Sequence, residues 1–320
     1  MKVNGRKTRI LAILALGALI AGVSSCTEKP KQVSDKTRII VADAKTTHHL
    51  NLYTAQELGL FAKYGLEIEI VSVDENAASR DLVISGQADV FWSCPTVAIA
   101  SIANGAPLKI ISQVKKPCTS VLVVSPDSPI NEYSDLAGKN IGGISPTCEA
   151  VLSLDIKARQ NGGSFILEKL AGGPAIAALE AGKVDGVILE EPHVSIAQLK
   201  GYKILFPEAS ANIPCRTINA RTAFLKSNAE ALKRFIKAVE EANEIILADP
   251  VADRIVEIAV KYTGAPAEAI RHGNDRLKFR TNLDESGLFA LADELVTLNT
   301  IKQNPKNALF ADEFRTITWN

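Results

Sequence analysis

The side chains best suited to chemistry in this 320-residue sequence are four cysteines, Cys94, Cys118, Cys148 and Cys215, separated by 24, 30 and 67 residues. No C-x-x-C pair occurs, so the spacing excludes a zinc ribbon. Each cysteine stands within two residues of a proline: Cys94-Pro95, Pro117-Cys118, Pro146-Thr147-Cys148 and Pro214-Cys215. Proline lacks an amide donor and fixes φ, so these are places where strands or helices break. Three uses of the thiols are open. They are small buried hydrophobes in unrelated loops, or they form one or two disulfides within a lobe, which an oxidising compartment favours. In the third use they converge on a ligand, because four thiolates are the soft donor set that suits zinc, Cu(I) or an iron–sulfur cluster.

Other candidates gather around the same breaks. His48 and His49 sit in the polar loop Lys45-Thr46-Thr47-His48-His49, and Glu190-Glu191-Pro192-His193 ends an apolar run. Glu191 is placed to pair a hinge arginine or a cationic ligand group, and Trp92 to form a cleft wall or a core element. Arg216 and Arg221 can meet an anion or an internal carboxylate. His193 reads as a helix N-terminal residue and His272 as surface. No Gly-x-Ser-x-Gly or Gly-x-Cys-x-Gly elbow is present, so a nucleophile triad has no support.

The elements that position these residues follow from periodicity. Residues 88–92 form an apolar run entered through Gly86 and stopped by Pro95, as a buried parallel strand should be, with Thr96 as a candidate N-cap for the next helix. The same Gly-x-x-Asp-strand-x-Pro plan returns in residues 182–192. Strands are expected at 37–43, 66–71, 108–114, 118–125, 140–144, 165–170 and 203–206. Helices are expected at 50–63, 77–85, 98–104, 229–247, 251–262 and 285–298. Alternating strands and helices predict an α/β fold of two similar lobes with parallel or mixed sheets facing one cleft, where ligands sit at strand ends. In such a protein all four cysteines border the cleft, Cys118 and Cys215 on the two crossings between lobes.

The composition is 47% hydrophobic and 22% charged, with a formal net charge of +0, which is ordinary for a globular chain and offers no basic face for nucleic acid. Residues 1–25 read as a signal peptide, with Lys2, Arg6, Lys7 and Arg9 before an apolar run that ends at Val23-Ser24-Ser25-Cys26. Small residues ending in a cysteine resemble a bacterial lipoprotein cleavage site, although Val23 stands where that pattern usually has Leu; the resemblance implies Cys26 as the lipidated first residue, and residues 26–37 read as a tether.

Residues 38–245 resemble the substrate-binding proteins of ABC importers, in the nitrate/sulfonate/taurine and thiamine-pyrimidine-precursor group. The resemblance lies in ordered pieces: residues 52–61 followed by Tyr64-Gly65-Leu66, then Gly86-x-Ala88-Asp89, Ala106-Pro107-Leu108-Lys109, Asp135-Leu136-x-Gly138-Lys139-x-Ile141-Gly142, and Gly182-Lys183-Val184-Asp185 with Glu191-Pro192. It implies a two-lobe periplasmic-binding-protein (type II) fold on a two-strand hinge, with residues 38–117 and 218–320 in one lobe and 118–217 in the other. It also implies capture of a ligand without chemistry, permease and ATPase partners, a monomer, and a place outside the cytoplasmic membrane. Lys45 to Tyr53 is most similar to the pyrimidine-precursor branch, where His49 matches that branch's histidine; Thr47 and His48 depart from its pattern. That branch includes synthases with consecutive cysteines, which this chain lacks. The cargo readings are a thiolate-bound metal ion or iron–sulfur-type cluster on Cys94, Cys118, Cys148 and Cys215, or a small organic solute.

Overall fold

The computed structural model describes residues 36–73 and 76–317. The leader, Cys26 and nearly all of the tether lie outside the described residues, and no described helix is long and apolar enough to cross a membrane. Among the described residues ten strands form two five-stranded sheets. The first contains β1 (Thr37–Asp43), β2 (Leu66–Ser72), β3 (Val90–Ser93), β4 (Leu108–Lys115) and β10 (Cys215–Arg221), in the order β2-β1-β3-β10-β4. The second contains β5 (Val121–Val124), β6 (Lys139–Gly143), β7 (Phe165–Lys169), β8 (Gly186–Leu189) and β9 (Lys203–Leu205), in the order β7-β6-β8-β5-β9.

The two sheets repeat one plan. Each has three parallel strands followed by one that runs antiparallel to both its neighbours: β10 in the first sheet, β5 in the second. The chain passes between sheets twice, from β4 to β5 and from β9 to β10. The two passages are tied together, since Cys118 N donates to Ile213 O at 3.0 Å.

The repeated Gly-x-x-Asp motif has a structural reason. Asp89 Oδ2 accepts from Ile40 N at 3.0 Å, and Asp89 N donates to Ile40 O at 2.8 Å. Asp185 makes the matching pair with Asn140, 2.8 Å in each direction. In both lobes one aspartate thus fixes the start of a strand against its parallel neighbour.

The first core lies between the first sheet and the helix Thr222–Ala248, where Phe235 stacks on Phe61 and meets Trp92 edge-on at 5.6 Å. Side chains alternate along β3, so Trp92 faces this helix. Burial of each such large apolar side chain contributes about 1.5–3 kcal/mol.

Local details differ from the sequence expectations. The helix expected at 50–63 is two helices, Leu50–Glu57 and Leu60–Lys63, broken at Gly59 with φ +69°. The helix Pro95–Ala103 is capped by Cys94 with Pro95 in its first turn, so Thr96 is not the cap. Proline suits that first turn, where no amide partner is needed. Residues 118–120 are not strand, because β5 begins at Val121. The long helix extends back to Thr222 through a kink at Asn228.

Candidate functional site

The parallel strands of both sheets end toward one another, and the segments that leave them line two cavities. A cavity of about 300 Å³ is bordered by Lys45 and Thr46 after β1, Cys94 after β3, Cys148 after β6, Gly172 and Gly173 at the start of the helix Gly172–Glu180 after β7, and Glu190 and His193 after β8. Arg216 of β10 also lines it. A second, of about 360 Å³, shares Cys94, Ile144 and Cys148 with the first and adds Arg80, Thr147 and Lys169. This is the strand-end position at which open α/β sheets bind ligands.

The four cysteines meet behind the shared wall. All are buried, with exposures of 4% for Cys94, 2% for Cys118, 8% for Cys148 and 0% for Cys215. They come together around Glu149, the first residue of the helix Glu149–Gln160, which is 0% exposed. Two trios result, Cys94 with Cys148 and Glu149, and Cys118 with Cys215 and Glu149. The candidate ligand atoms within each lie within 4.8 Å of one another. Cys215 Sγ donates to Glu149 Oε1 at 3.4 Å, and Cys118 Sγ is 4.0 Å from the same oxygen. Glu149 Oε2 is buried with no hydrogen-bond partner.

Arg216 is the cation of this cluster. Its Nη1 donates to Cys94 Sγ at 2.7 Å and to Glu149 Oε1 at 3.2 Å, and its Nη2 donates to Glu190. Arg216 adopts φ +62°, a left-handed conformation that costs a non-glycine residue about 1–3 kcal/mol and is kept where surroundings enforce it. Burial works against its charge, but Cys94, Glu190, Cys215 and Glu149 outweigh it and hold the guanidinium protonated. Lys115, also fully buried, donates to Pro117 O at 3.2 Å and Thr119 Oγ1 at 3.0 Å.

The thiols are not equivalent. Cys148 beside it and burial push Cys94 up, and burial with the Cys118 neighbour pushes Cys215 up. The hydrogen bond from Cys215 outweighs burial at Cys118 and lowers it, aided by Lys115. The Cys118 member of that pair is therefore the more ready thiolate, the form that binds soft metals.

The histidines have different surroundings. His48 lies beside the cluster, with Nδ1 3.4 Å from Glu190 Oε2 and 4.0 Å from Cys215 Sγ. Burial, with Lys115 and Arg216 nearby, holds its pKa well below the usual value, so it is neutral. His49 faces away from the cavities; its Nδ1 lies 2.6 Å from Asp43 Oδ1, and Tyr53 OH donates to Asp43 Oδ2 at 2.7 Å.

Glu191 is also absent from both cavity walls. Its carboxylate pairs with Arg276 and accepts from Ser195 N at 3.2 Å. Trp92 is 0% exposed in the first core, so its side chain is not a cleft wall: the strand pleat turns it to the Phe235 side. Arg221 pairs with Asp89 at 3.1 Å and has no part in the cluster. His193 begins the helix His193–Leu199. Glu149 and Lys115 escaped sequence reading. The available signal was the acid directly after Cys148 at a helix start.

The sequence profile of the family described as NMT1/THI5 like matches residues 46–253. The chain belongs to this family. The 4-amino-5-hydroxymethyl-2-methylpyrimidine phosphate synthase THI11 of Saccharomyces cerevisiae is similar to it, 23% identical over 238 residues, covering 68% of this chain and 69% of the synthase. The putative binding protein YtlA of Bacillus subtilis is 22% identical over 261 residues, 78% of each chain. Among solved structures, the periplasmic aliphatic sulphonate binding protein SsuA from Escherichia coli has the same fold. Its TM-score is 0.74 at 19% identity, with 88% of this chain and 92% of SsuA covered. This NMT1/THI5-like chain therefore has the periplasmic-binding-protein fold.

Proposed function

We propose that this protein is the extracytoplasmic solute-binding subunit of an ABC importer, lipid-anchored through Cys26 and working as a monomer with a permease and an ATPase. Residues 38–117 and 218–320 form one lobe and 118–217 the other. The lobes close on a ligand and do no chemistry on it. The cargo is a thiophilic metal ion or an iron–sulfur-type cluster. The observation that carries this reading is the gathering of Cys94, Cys118, Cys148 and Cys215 around the Glu149 carboxylate, with donors from both sheets. Soft sulfur donors favour such cargo over hard cations.

The test is the full chain, purified in detergent without oxygen, with metal content and visible spectrum recorded for the wild type and for a variant with all four cysteines changed to Ser. Stoichiometric metal or cluster in the wild type, absent from the variant, is expected. Equal content in both sinks the metal reading.

A second reading, a small organic solute such as a pyrimidine precursor or a sulfonate-like anion, is favoured by the 300 Å³ cavity, which exceeds what an ion needs. Arg216, Lys45 and the helix start at Gly172-Gly173 would be its anion contacts. A thermal-shift response to such solutes that survives in the four-Ser variant would select it.

A further inference from the structure

We propose that the cleft takes two borderline-soft divalent cations at once, bridged by Glu149: one with Cys94 and Cys148, the other with Cys118 and Cys215. This deepens the metal-cargo reading and rests on it.

The arrangement of donors favours two ions over one. Among the described residues, the sets close enough to hold an ion are the two trios, and Glu149 belongs to both. A single ion held by the four thiols alone would leave Glu149 as a buried carboxylate with no cation of its own beyond Arg216. A carboxylate has two oxygens and can give one to each of two ions. Oε1 already accepts from Cys215 and Arg216 and lies 4.0 Å from Cys118, while Oε2 is buried and has no hydrogen-bond partner among the described residues.

Charge supports the same count. Four thiolates and Glu149 in the buried cluster, with half-buried Glu190 at its edge, carry six negative charges, and Arg216 and Lys115 return two. Two divalent cations supply the remaining four. Arg216 then serves as an outer donor to the Cys94 sulfur, the position it holds here.

Three protein donors per ion also suit release. Structural zinc sites close their shell with four protein ligands, whereas sites that exchange a ligand keep one position open. Each trio further spans the two sheets: Cys94 follows β3 and Cys215 opens β10 of the first, and Glu149 follows β6 of the second. Opening the cleft would part Cys94 from Cys148 and Glu149 and so take apart the first ion site.

The experiment is titration of the full chain, in detergent without oxygen, with Zn(II) alone. Stoichiometry is read by native mass spectrometry, and Co(II) serves as an optical probe of thiolate ligation. Expected are two zinc ions per wild-type chain and one each in Cys148→Ser and Cys118→Ser, since each variant keeps the other trio. Glu149→Gln should lose at least one ion while Co(II) still shows thiolate charge transfer. The two serine variants decide the matter if Glu149→Gln does not fold. One zinc in the wild type, or two retained in Glu149→Gln, overturns the bridged pair and leaves the thiolate-cargo reading standing. No zinc and no thiolate–Co(II) absorption overturns both.

Discussion

Cys215 Sγ lies 3.4 Å from Glu149 Oε1, although Cys215 opens the last strand of the first sheet and Glu149 begins a helix that follows β6 of the second. This contact joins elements of the two sheets. It is possible because Arg216, the next residue after Cys215, swings its guanidinium onto the same carboxylate and onto Glu190. The cleft floor is thus a polar cluster that links the sheets, beside an apolar cluster that also does, since Leu152 of the helix Glu149–Gln160 shares it with Ile99 of the helix Pro95–Ala103.

Arg216 should dominate the stability of that floor. Its side chain is 2% exposed and Glu149 is 0% exposed, so removing the cation strands buried negative charge. Breaking a buried pair by removing one partner costs about 3–5 kcal/mol. Arg216→Ala is expected to lower the urea midpoint accordingly at pH 7 in metal-free protein. Arg216→Lys should recover only part of it, because a single ammonium cannot reproduce the fork that reaches Cys94, Glu149 and Glu190 together. A midpoint within experimental error of wild type in Arg216→Ala would show that the cluster is not held by this charge.

Asp43 gives a pH signature separate from the thiols. Burial alone would raise its pKa, but the hydrogen bond and charge of His49, with Tyr53 OH and Lys45 N, outweigh burial and hold it below the ordinary value. A carboxylate depressed on folding stabilises the native state above its unfolded pKa, about 3.9, and that stability is lost as pH falls through the lower folded value. Asp43→Asn should therefore flatten the acid side of the stability profile below about pH 4–5 and lower the plateau near neutrality. Urea midpoints from pH 3 to pH 7 check it; a variant with an unchanged acid limb removes Asp43 from the account.

How much of this was legible in the sequence depends on what each residue needed for its reading. The repeated Gly-x-x-Asp plan was visible because the aspartate bonds to a neighbouring strand in the same way twice. The positions of the cysteines at strand ends and crossings were visible because proline breaks the chain beside each. Which way a side chain faces was not: Trp92 lies on a four-residue strand, and one step in the pleat exchanges cleft for core. Glu149 was hidden for another reason. An acid in the first turn of a helix is ordinary there on dipole grounds alone. Only the fold shows that its carboxylate turns inward among thiols. Gly59 broke a helical pattern whose apolar spacing continues across it, which periodicity cannot reveal.

Gly273 is expected to control closure. A Cβ built there would stand 2.3 Å from Ser195 Oγ and 2.5 Å from Glu191 Oε2, so the helix Ala267–Gly273 approaches the helix His193–Leu199 as closely as it does only because Gly273 has no side chain. Beside it Arg276 bonds both Glu191 and Gln198. Inserting a methyl into such a contact costs about 1–3 kcal/mol. That cost falls on the approach of the two lobes, so Gly273→Ala should weaken ligand binding by roughly tenfold and increase the radius of gyration in small-angle scattering of the ligand-bound protein. Unchanged affinity and scattering would mean that this contact is not part of closure.

Thiol labelling should resolve the cluster into an outer and an inner pair. Cys94 and Cys148 border both cavities, at 4% and 8% exposure, whereas Cys215 is fully buried and Cys118 borders neither cavity. A small alkylating reagent reaching the cleft from solvent meets the first two before the others. Exposure decides accessibility and thiolate content decides intrinsic rate, and the two oppose one another here: Cys118 is the lowered thiol and Cys94 a raised one. At the native cleft accessibility wins, because a buried thiolate reacts only when the structure opens. Mass-spectrometric mapping of metal-free, reduced protein in dilute iodoacetamide is therefore expected to find Cys148 and Cys94 labelled first. Cys118 should overtake Cys94 only when moderate urea opens the cleft. Labelling of Cys118 first without denaturant would place a path to the inner pair through the crossings and not through the cavities.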